Sequence, residues 1–217
     1  MLVVFDLDGT LIDSVRDLAA SASELVTSRG GQPLDLAEVG TMVGDGAAQL
    51  VRRALARAGL SPDAPDALPQ FLDIYAKRLL DTTTAYDGVV PLLAQLSRRA
   101  RLAVLTNKPL QPSLRILDAL QLRTYFEEVR GGDGPYARKP DAEGLLSLGR
   151  DGWPTLLVGD SPIDAATAQA AGCAFAWARY GFGAARFSEP PDTPYVLERP
   201  ADLIAAFDRF AAVATGR

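Results

Sequence analysis

The chain alternates between short runs of apolar residues and amphipathic stretches, and the change of rhythm along it divides it into two parts. Leu2-Val3-Val4-Phe5 is apolar at every position and rich in β-branched residues. Such a run, stopped abruptly by Asp6-Leu7-Asp8-Gly9-Thr10, predicts a strand buried on both faces of a parallel sheet. From Val15 to Leu80 the spacing is helical, with predicted helices at Val15–Arg29, Leu36–Val43, Gly46–Ala58 and Pro69–Leu80. Ser14 stands where an N-cap belongs, and Gly30-Gly31-Gln32-Pro33, Gly44-Asp45-Gly46 and the Pro/Asp-rich 61–65 stretch break the pattern. No strand pattern lies between Ser14 and Thr84.

From Tyr86 onward helices and strands alternate. Helices are expected near Val89–Arg99, Leu110–Leu120, Ala142–Leu148, up to Ala171 and over Ala201–Ala214. The strands between them are Leu102–Leu105, a weak one near Glu128–Arg130, Thr155–Val158, and Ala174–Ala178 as the last. This order predicts an α/β fold: a doubly wound, Rossmann-like parallel sheet formed by residues 1–14 and 85–217, with a small all-helical unit, residues 15–84, inserted after the first strand.

In a parallel sheet, ligands bind at the carboxyl ends of the strands. Four polar clusters end strand or loop segments here: Asp6/Asp8, Thr106/Asn107, Lys139 and Asp160/Asp164. An isolated Asp-x-Asp closing a strand reads first as an acidic turn, and the second acidic cluster downstream is what shifts that reading. Several carboxylates converging with a lysine call for a cation between them, and hard oxygen ligands select Mg²⁺.

The 217 residues include 22 Lys and Arg against 27 Asp and Glu, one cysteine and no histidine. The missing histidine excludes Ser-His-Asp triads, phosphohistidine chemistry and His-ligated zinc. No basic tract suggests a nucleic-acid partner, no apolar run is long enough for a membrane span, and no secretory signal is visible. A cytoplasmic protein, monomeric or weakly dimeric, is the expectation. A single cysteine, Cys173, excludes an internal disulfide, and its small apolar neighbours suggest inert packing.

Phe5-Asp6-Leu7-Asp8-Gly9-Thr10-Leu11, Leu105-Thr106-Asn107, Lys139-Pro140 and Val158-Gly159-Asp160-Ser161-x-x-Asp164 resemble, in order, the four motifs of the haloacid dehalogenase superfamily. The helical insert is similar to the small cap of its phosphatase branch. Val43-Gly44-Asp45-Gly46, Thr106-Asn107-Lys108-Pro109 and Tyr180-Gly181-Phe182-Gly183 are most similar to the phosphoglycolate phosphatase family.

The resemblance implies a Mg²⁺-dependent phosphatase acting on a small phosphorylated metabolite, 2-phosphoglycolate first among candidates. It implies Asp6 as nucleophile forming an aspartyl-phosphate, Asp8 as general acid and base, and Lys139 bridging nucleophile and phosphoryl group. Thr106, the Asn107 N–H and Lys139 would bind the phosphoryl oxygens, and Asp6, Asp8 and Asp160 would hold the metal. Asp164 and Ser161 would support them from behind. Gly44 and Gly46 either face a small carboxylate at a helix N-terminus or form only a turn, and Arg52, Arg53 and Lys108 are candidate anion partners.

Relatives usually carry a second proline shortly after Lys139-Pro140, whereas this chain continues Asp141-Ala142-Glu143. A hexose-phosphate mutase of the same fold is the alternative enzyme. A receiver-type phospho-accepting module is the non-enzymatic one, and the helical insert speaks against it. A dehalogenase would lack Asp8.

Overall fold

A computed structural model describes residues 1–149 and 152–216. The first strand, β1 (Leu2–Phe5), is buried along its whole length. Its side chains alternate between two cores, Val3 and Phe5 facing one and Leu2 and Val4 the other, which is why every position is apolar. A two-residue strand, β2 (Ile12–Asp13), follows the Asp6–Thr10 turn and leads into helices α1 (Val15–Ser28), α2 (Leu36–Met42), α3 (Ala47–Arg57) and α4 (Ala67–Arg78). The chain then returns through β3 (Thr84–Ala85), antiparallel to β2.

Beyond it come α5 (Val89–Leu96), β4 (Arg101–Leu105), α6 (Leu110–Ala119), β5 (Glu128–Arg130), α7 (Glu143–Leu146) and β6 (Thr155–Gly159). The chain ends with α8 (Pro162–Ala171), β7 (Ala174–Ala178), β8 (Tyr195–Leu197) and α9 (Leu203–Ala214). The main sheet has six parallel strands in the order β5-β4-β1-β6-β7-β8. With β4 on one side of β1 and β6 on the other, the winding direction reverses at β1. That reversal opens a crevice at the carboxyl end of β1.

Two elements differ from the sequence-based expectation. The sheet does not stop at Ala174–Ala178, because Tyr195–Leu197 adds an edge strand after a proline-rich loop. The links to the helical block also pair with each other as β2 and β3, which the pattern of apolar residues does not show. Among the described residues no helix is long and apolar enough to cross a membrane. Cys173 is half-buried, and burial pushes its thiol up to about 11, consistent with inert packing.

In the helical block α1 is central, packing against α2, α3 and α4. Its interior is built from residues such as Leu25, Val26, Val39, Leu55 and Phe71. The base of the block is tied by Asp17, in the first turn of α1. Its carboxylate accepts hydrogen bonds from the backbone N–H and hydroxyl of both Thr82 and Thr83, at 2.5–3.1 Å. Asp17 is 2% exposed, so these donors replace the water it has lost. Burial alone would raise its pKa, but the Thr82 and Thr83 donors outweigh burial and hold it below the ordinary 3.8.

Replacing Asp17 by Ala leaves the two donors of buried Thr83 unpaired, while those of exposed Thr82 turn to water, and is expected to cost about 1–3 kcal/mol of stability. Thermal or urea unfolding measures this loss. A carboxyl with a lowered folded pKa stabilises above its unfolded value and loses that contribution as pH falls through the folded one. The gap between wild type and D17A is therefore expected to be full at pH 6–7 and to narrow as pH falls below about 3.8.

Candidate active site

The turn after β1 brings Asp6 and Asp8 to the crevice, and each meets a different lysine. Asp6 lies 2.8 Å from the Lys139 ammonium, which is also 2.6 Å from Asp164 Oδ1. One carboxylate oxygen each of Asp6, Asp160 and Asp164 lies within 4.8 Å of the others, and all three residues are buried. β1 delivers Asp6, β6 delivers Asp160, and the first turn of α8 delivers Asp164. Acidic residues some 150 positions apart thus share one small volume.

Burial pushes Asp6 up to about 6 against the pull of Lys139, with the Asp164 charge adding to the rise. Asp160 is raised well above its ordinary range by burial and by Asp164 and Asp6. For Lys139 burial works against the charged form, but Asp164 and Asp6 outweigh it and raise its pKa, so it stays an ammonium. Three carboxylates around one lysine leave negative charge in excess. In addition, Asp6 Oδ1 is buried and accepts no hydrogen bond despite its proximity to Lys139. Both observations fit a hard divalent cation held by Asp6 and Asp160.

Asp164 is committed elsewhere. Its Oδ1 takes the Lys139 contact, and its Oδ2 accepts from the Ser161 N–H at 3.1 Å and the Ser161 hydroxyl at 2.6 Å, a capping box at the start of α8. It orients Lys139 and caps the helix beside the site.

Asp160 sits in a cradle of glycines. The Gly183 N–H donates to its Oδ2 at 2.7 Å. A Cβ on Gly9 would lie 2.0 Å from that same oxygen, and one on Gly181 would lie 2.4 Å from Asp160 Cβ and 2.1 Å from the Gly9 carbonyl. Gly9 also has φ +90°, which favours glycine. The Tyr180-Gly181-Phe182-Gly183 stretch therefore holds the Asp160 carboxylate in place. Its small residues carried that signal in the sequence, though not the identity of their partner.

On the other side of the crevice Thr106 and Asn107 follow β4. The Thr106 Oγ1 accepts from the Lys108 N–H at 3.2 Å and donates to no described residue. The Asn107 N–H likewise donates to no described residue, leaving two buried donors for an anionic oxygen. The Asn107 side-chain amide donates to the Lys139 carbonyl and to the Gly44 carbonyl, both at 3.0 Å. It thereby ties the lysine loop and the helical block to one residue. Gly131 and Gly132 let the loop after β5 close on this turn, since a Cβ on either would lie within 2.4 Å of the Leu110 or Asn107 backbone.

Asp8 stands apart from the acidic cluster. Its two oxygens are each 3.1 Å from the Lys108 ammonium, and the Ser14 hydroxyl donates to Oδ1 at 2.5 Å. Ser14 thus serves Asp8 and does not cap α1 with its side chain.

Of the candidate anion partners in the helical block, Arg52 pairs with Asp63, and Arg53 pairs with Asp45 and the Met42 carbonyl, so neither lines the crevice. Asp45 is also 2.7 Å from Arg186, which neutralises the charge beside the site. Arg186 donates to the Val43 carbonyl as well, and its guanidinium occupies the place where a Gly44 Cβ would be. Between the helical block and the sheet remains a cavity of about 50 Å³, lined by Asp6, Asp8, Gly44, Gly46, Thr106 and Asn107 among others.

The family model for haloacid dehalogenase-like hydrolases matches residues 3–178. A phosphoglycolate phosphatase of Rhodospirillum rubrum is 42% identical, over 97% of this chain and 88% of that protein. Phosphoglycolate phosphatase 1 of Pseudomonas aeruginosa is 36% identical over 98% of this chain and 81% of its own. Among solved structures, one described as a predicted phosphoglycolate phosphatase from Haemophilus somnus 129pt superposes with a TM-score of 0.86 at 29% identity, covering 95% of this chain and 97% of that one. With the motif residues gathered at one sheet edge and these matches spanning both the sheet and the helical block, the chain belongs to the haloacid dehalogenase-like hydrolase family.

Proposed function

We propose that this chain is a Mg²⁺-dependent phosphatase that hydrolyses a small phosphate monoester, 2-phosphoglycolate being the leading candidate, through a phosphoryl group carried on Asp6. The observation that carries this reading is the contact of Lys139 with both Asp6 and Asp164 beside Asp160. The names of the relatives favour the same substrate.

Asp6 attacks phosphorus, and the alkoxide leaves with a proton from Asp8. Water, deprotonated by Asp8, then releases phosphate from Asp6. Lys139 keeps Asp6 ionised and offsets the charge gathering on the phosphoryl oxygens, which the Thr106 hydroxyl and the Asn107 N–H also bind. Mg²⁺, held by Asp6, Asp160 and the Asp8 backbone, supplies further charge neutralisation and substrate alignment when bound.

In this reading the helical block, residues 15–84, is a cap. The cavity between cap and sheet is only about 50 Å³, which favours a cap that lifts to admit an ester. The β2–β3 ribbon is the natural hinge, and the Asn107–Gly44 and Arg186–Val43 contacts are what opening breaks.

The test is release of orthophosphate from 2-phosphoglycolate and from p-nitrophenyl phosphate. EDTA is expected to stop both reactions and added Mg²⁺ to restore them. Full activity in EDTA would rule out the metal-dependent reading. Steady turnover would separate a phosphatase from a receiver-type module.

A further inference from the structure

Lys108 is the second buried lysine at the crevice, and the reaction as described gives it no task. Its ammonium is 3.1 Å from each Asp8 oxygen and 2.6 Å from the Tyr75 hydroxyl, and it lies 4.5 Å from the centre of the Tyr75 ring. Burial alone would lower its pKa, but Asp8 and Tyr75 outweigh burial and raise it, so the group is a cation. Tyr75 comes from α4 in the helical block. Burial pushes its phenol up to about 12, so it is neutral, and its O–H donates to no described residue. The cavity around this pair is walled by apolar side chains, among them Leu18, Val43, Leu50, Phe71 and Leu72. One ammonium and one unspent hydroxyl on such a wall make a receptor for a single anionic group.

Both Asp8 oxygens accept hydrogen bonds from Lys108, and Oδ1 accepts from Ser14 as well, so the carboxylate is held against the lysine in this arrangement. We propose that Lys108 and Tyr75 receive a carboxylate at the far end of the phosphate ester, and that this carboxylate displaces Asp8 from Lys108, freeing Asp8 for proton transfer. The inference rests on the phosphatase reading above and adds to it the two residues that would select an ester such as 2-phosphoglycolate by its carboxylate. It also places part of the discrimination in kcat, because a substrate without the carboxylate binds but leaves Asp8 engaged.

The experiment compares 2-phosphoglycolate with ethyl phosphate, nearly the same in size but without the carboxylate, in wild type, Lys108→Met and Tyr75→Phe. Wild type is expected to favour 2-phosphoglycolate by about 10²-fold or more in kcat/KM, with a clear share in kcat. Tyr75→Phe, which deletes one oxygen, is expected to shrink that preference by about 10-fold. Lys108→Met is expected to lower kcat for 2-phosphoglycolate by a clearly larger factor than kcat for ethyl phosphate, which brings no carboxylate for the lysine to receive.

A loss falling mainly on the carboxylate-bearing substrate is what a purely structural lysine would not produce. Equal losses on both substrates in both variants would overturn the inference, as would a wild type indifferent to the carboxylate. In either case hydrolysis of ethyl phosphate would leave the phosphatase reading standing. Absence of orthophosphate from both substrates would overturn that reading and the inference with it. Should Lys108→Met fail to fold, the Tyr75→Phe ratio alone decides, an unchanged preference counting against the proposal.

Discussion

Asp6→Asn is expected to lower phosphatase turnover by about 10⁴-fold or more while leaving the fold intact. Asparagine matches aspartate in shape, so β1 and the turn after it have no reason to move. It cannot carry the phosphoryl group, and loss of a covalent nucleophile removes the step that the rest of the site serves.

The same substitution separates chemistry from stability. Burial holds the Asp6 carboxyl at about 6, above its ordinary 3.8. A raised acid costs the fold stability in its ionised form, a cost that builds as pH rises from 3.8 through 6 and is full above it. The amide carries no such cost, and Lys139 keeps Asp164 as a partner. The metal-free D6N protein is thus expected to melt no lower than wild type at pH 8. A fall in melting temperature paralleling the loss of activity would mean instead that Asp6 is needed for folding.

Lys139→Met is expected to produce the second large effect, and it should show in two independent measurements. The lysine is the only cation in direct contact with Asp6 and Asp164 among the described residues, and its side chain is 2% exposed. Without it the attack of one anion on another loses its nearest compensating charge, and kcat is expected to drop by about 10²–10³-fold or more.

The metal-free variant should also be less stable by up to about 3–5 kcal/mol, because buried carboxylates lose their counter-charge. A divalent ion supplies positive charge to the same cluster. Added Mg²⁺ is therefore expected to raise the melting temperature of the variant more than that of wild type. Equal shifts in the two proteins would indicate that the ion does not bind beside Lys139.

The sequence made most of the sheet readable because its strands are buried on both faces. β1, β4, β6 and β7 are runs of four or five residues in which almost every position packs against something, and the helices between them keep a clear period. β8 escaped notice because it is three residues long, lies at the edge and alternates buried and exposed positions. The β2–β3 ribbon is shorter still, and it is defined by pairing across the whole helical block, which leaves no local trace.

In the site, Asp6, Asp160, Asp164 and Lys139 were legible as clusters at the ends of strands and loops, since a parallel sheet brings such ends together. What stayed hidden depends on how the helical block lies on the sheet. Tyr75 reaches Lys108 and Arg186 reaches Asp45 across 33 and 141 positions of chain. Asp17 binds Thr82 and Thr83, 65 and 66 positions away. Ser14 shows the opposite case, a residue whose local role as a helix cap was plain and whose hydroxyl is drawn instead to Asp8. Local pattern identifies what a residue can do, and tertiary packing decides which partner it meets.

Passage of the phosphoryl group through Asp6 is the step on which the proposed reaction depends. It is tested by acid-quenching the protein during turnover of ³²P-labelled p-nitrophenyl phosphate, whose leaving group departs without a proton from Asp8, in wild type and in Asp8→Asn, and mapping the label after trypsin digestion. Label is expected on the peptide Met1–Arg16, which holds Asp6, and in greater amount in Asp8→Asn, where water is no longer activated to release it. Full release of labelled orthophosphate with no protein-bound label in either protein, or label on a peptide lacking Asp6, would contradict the account.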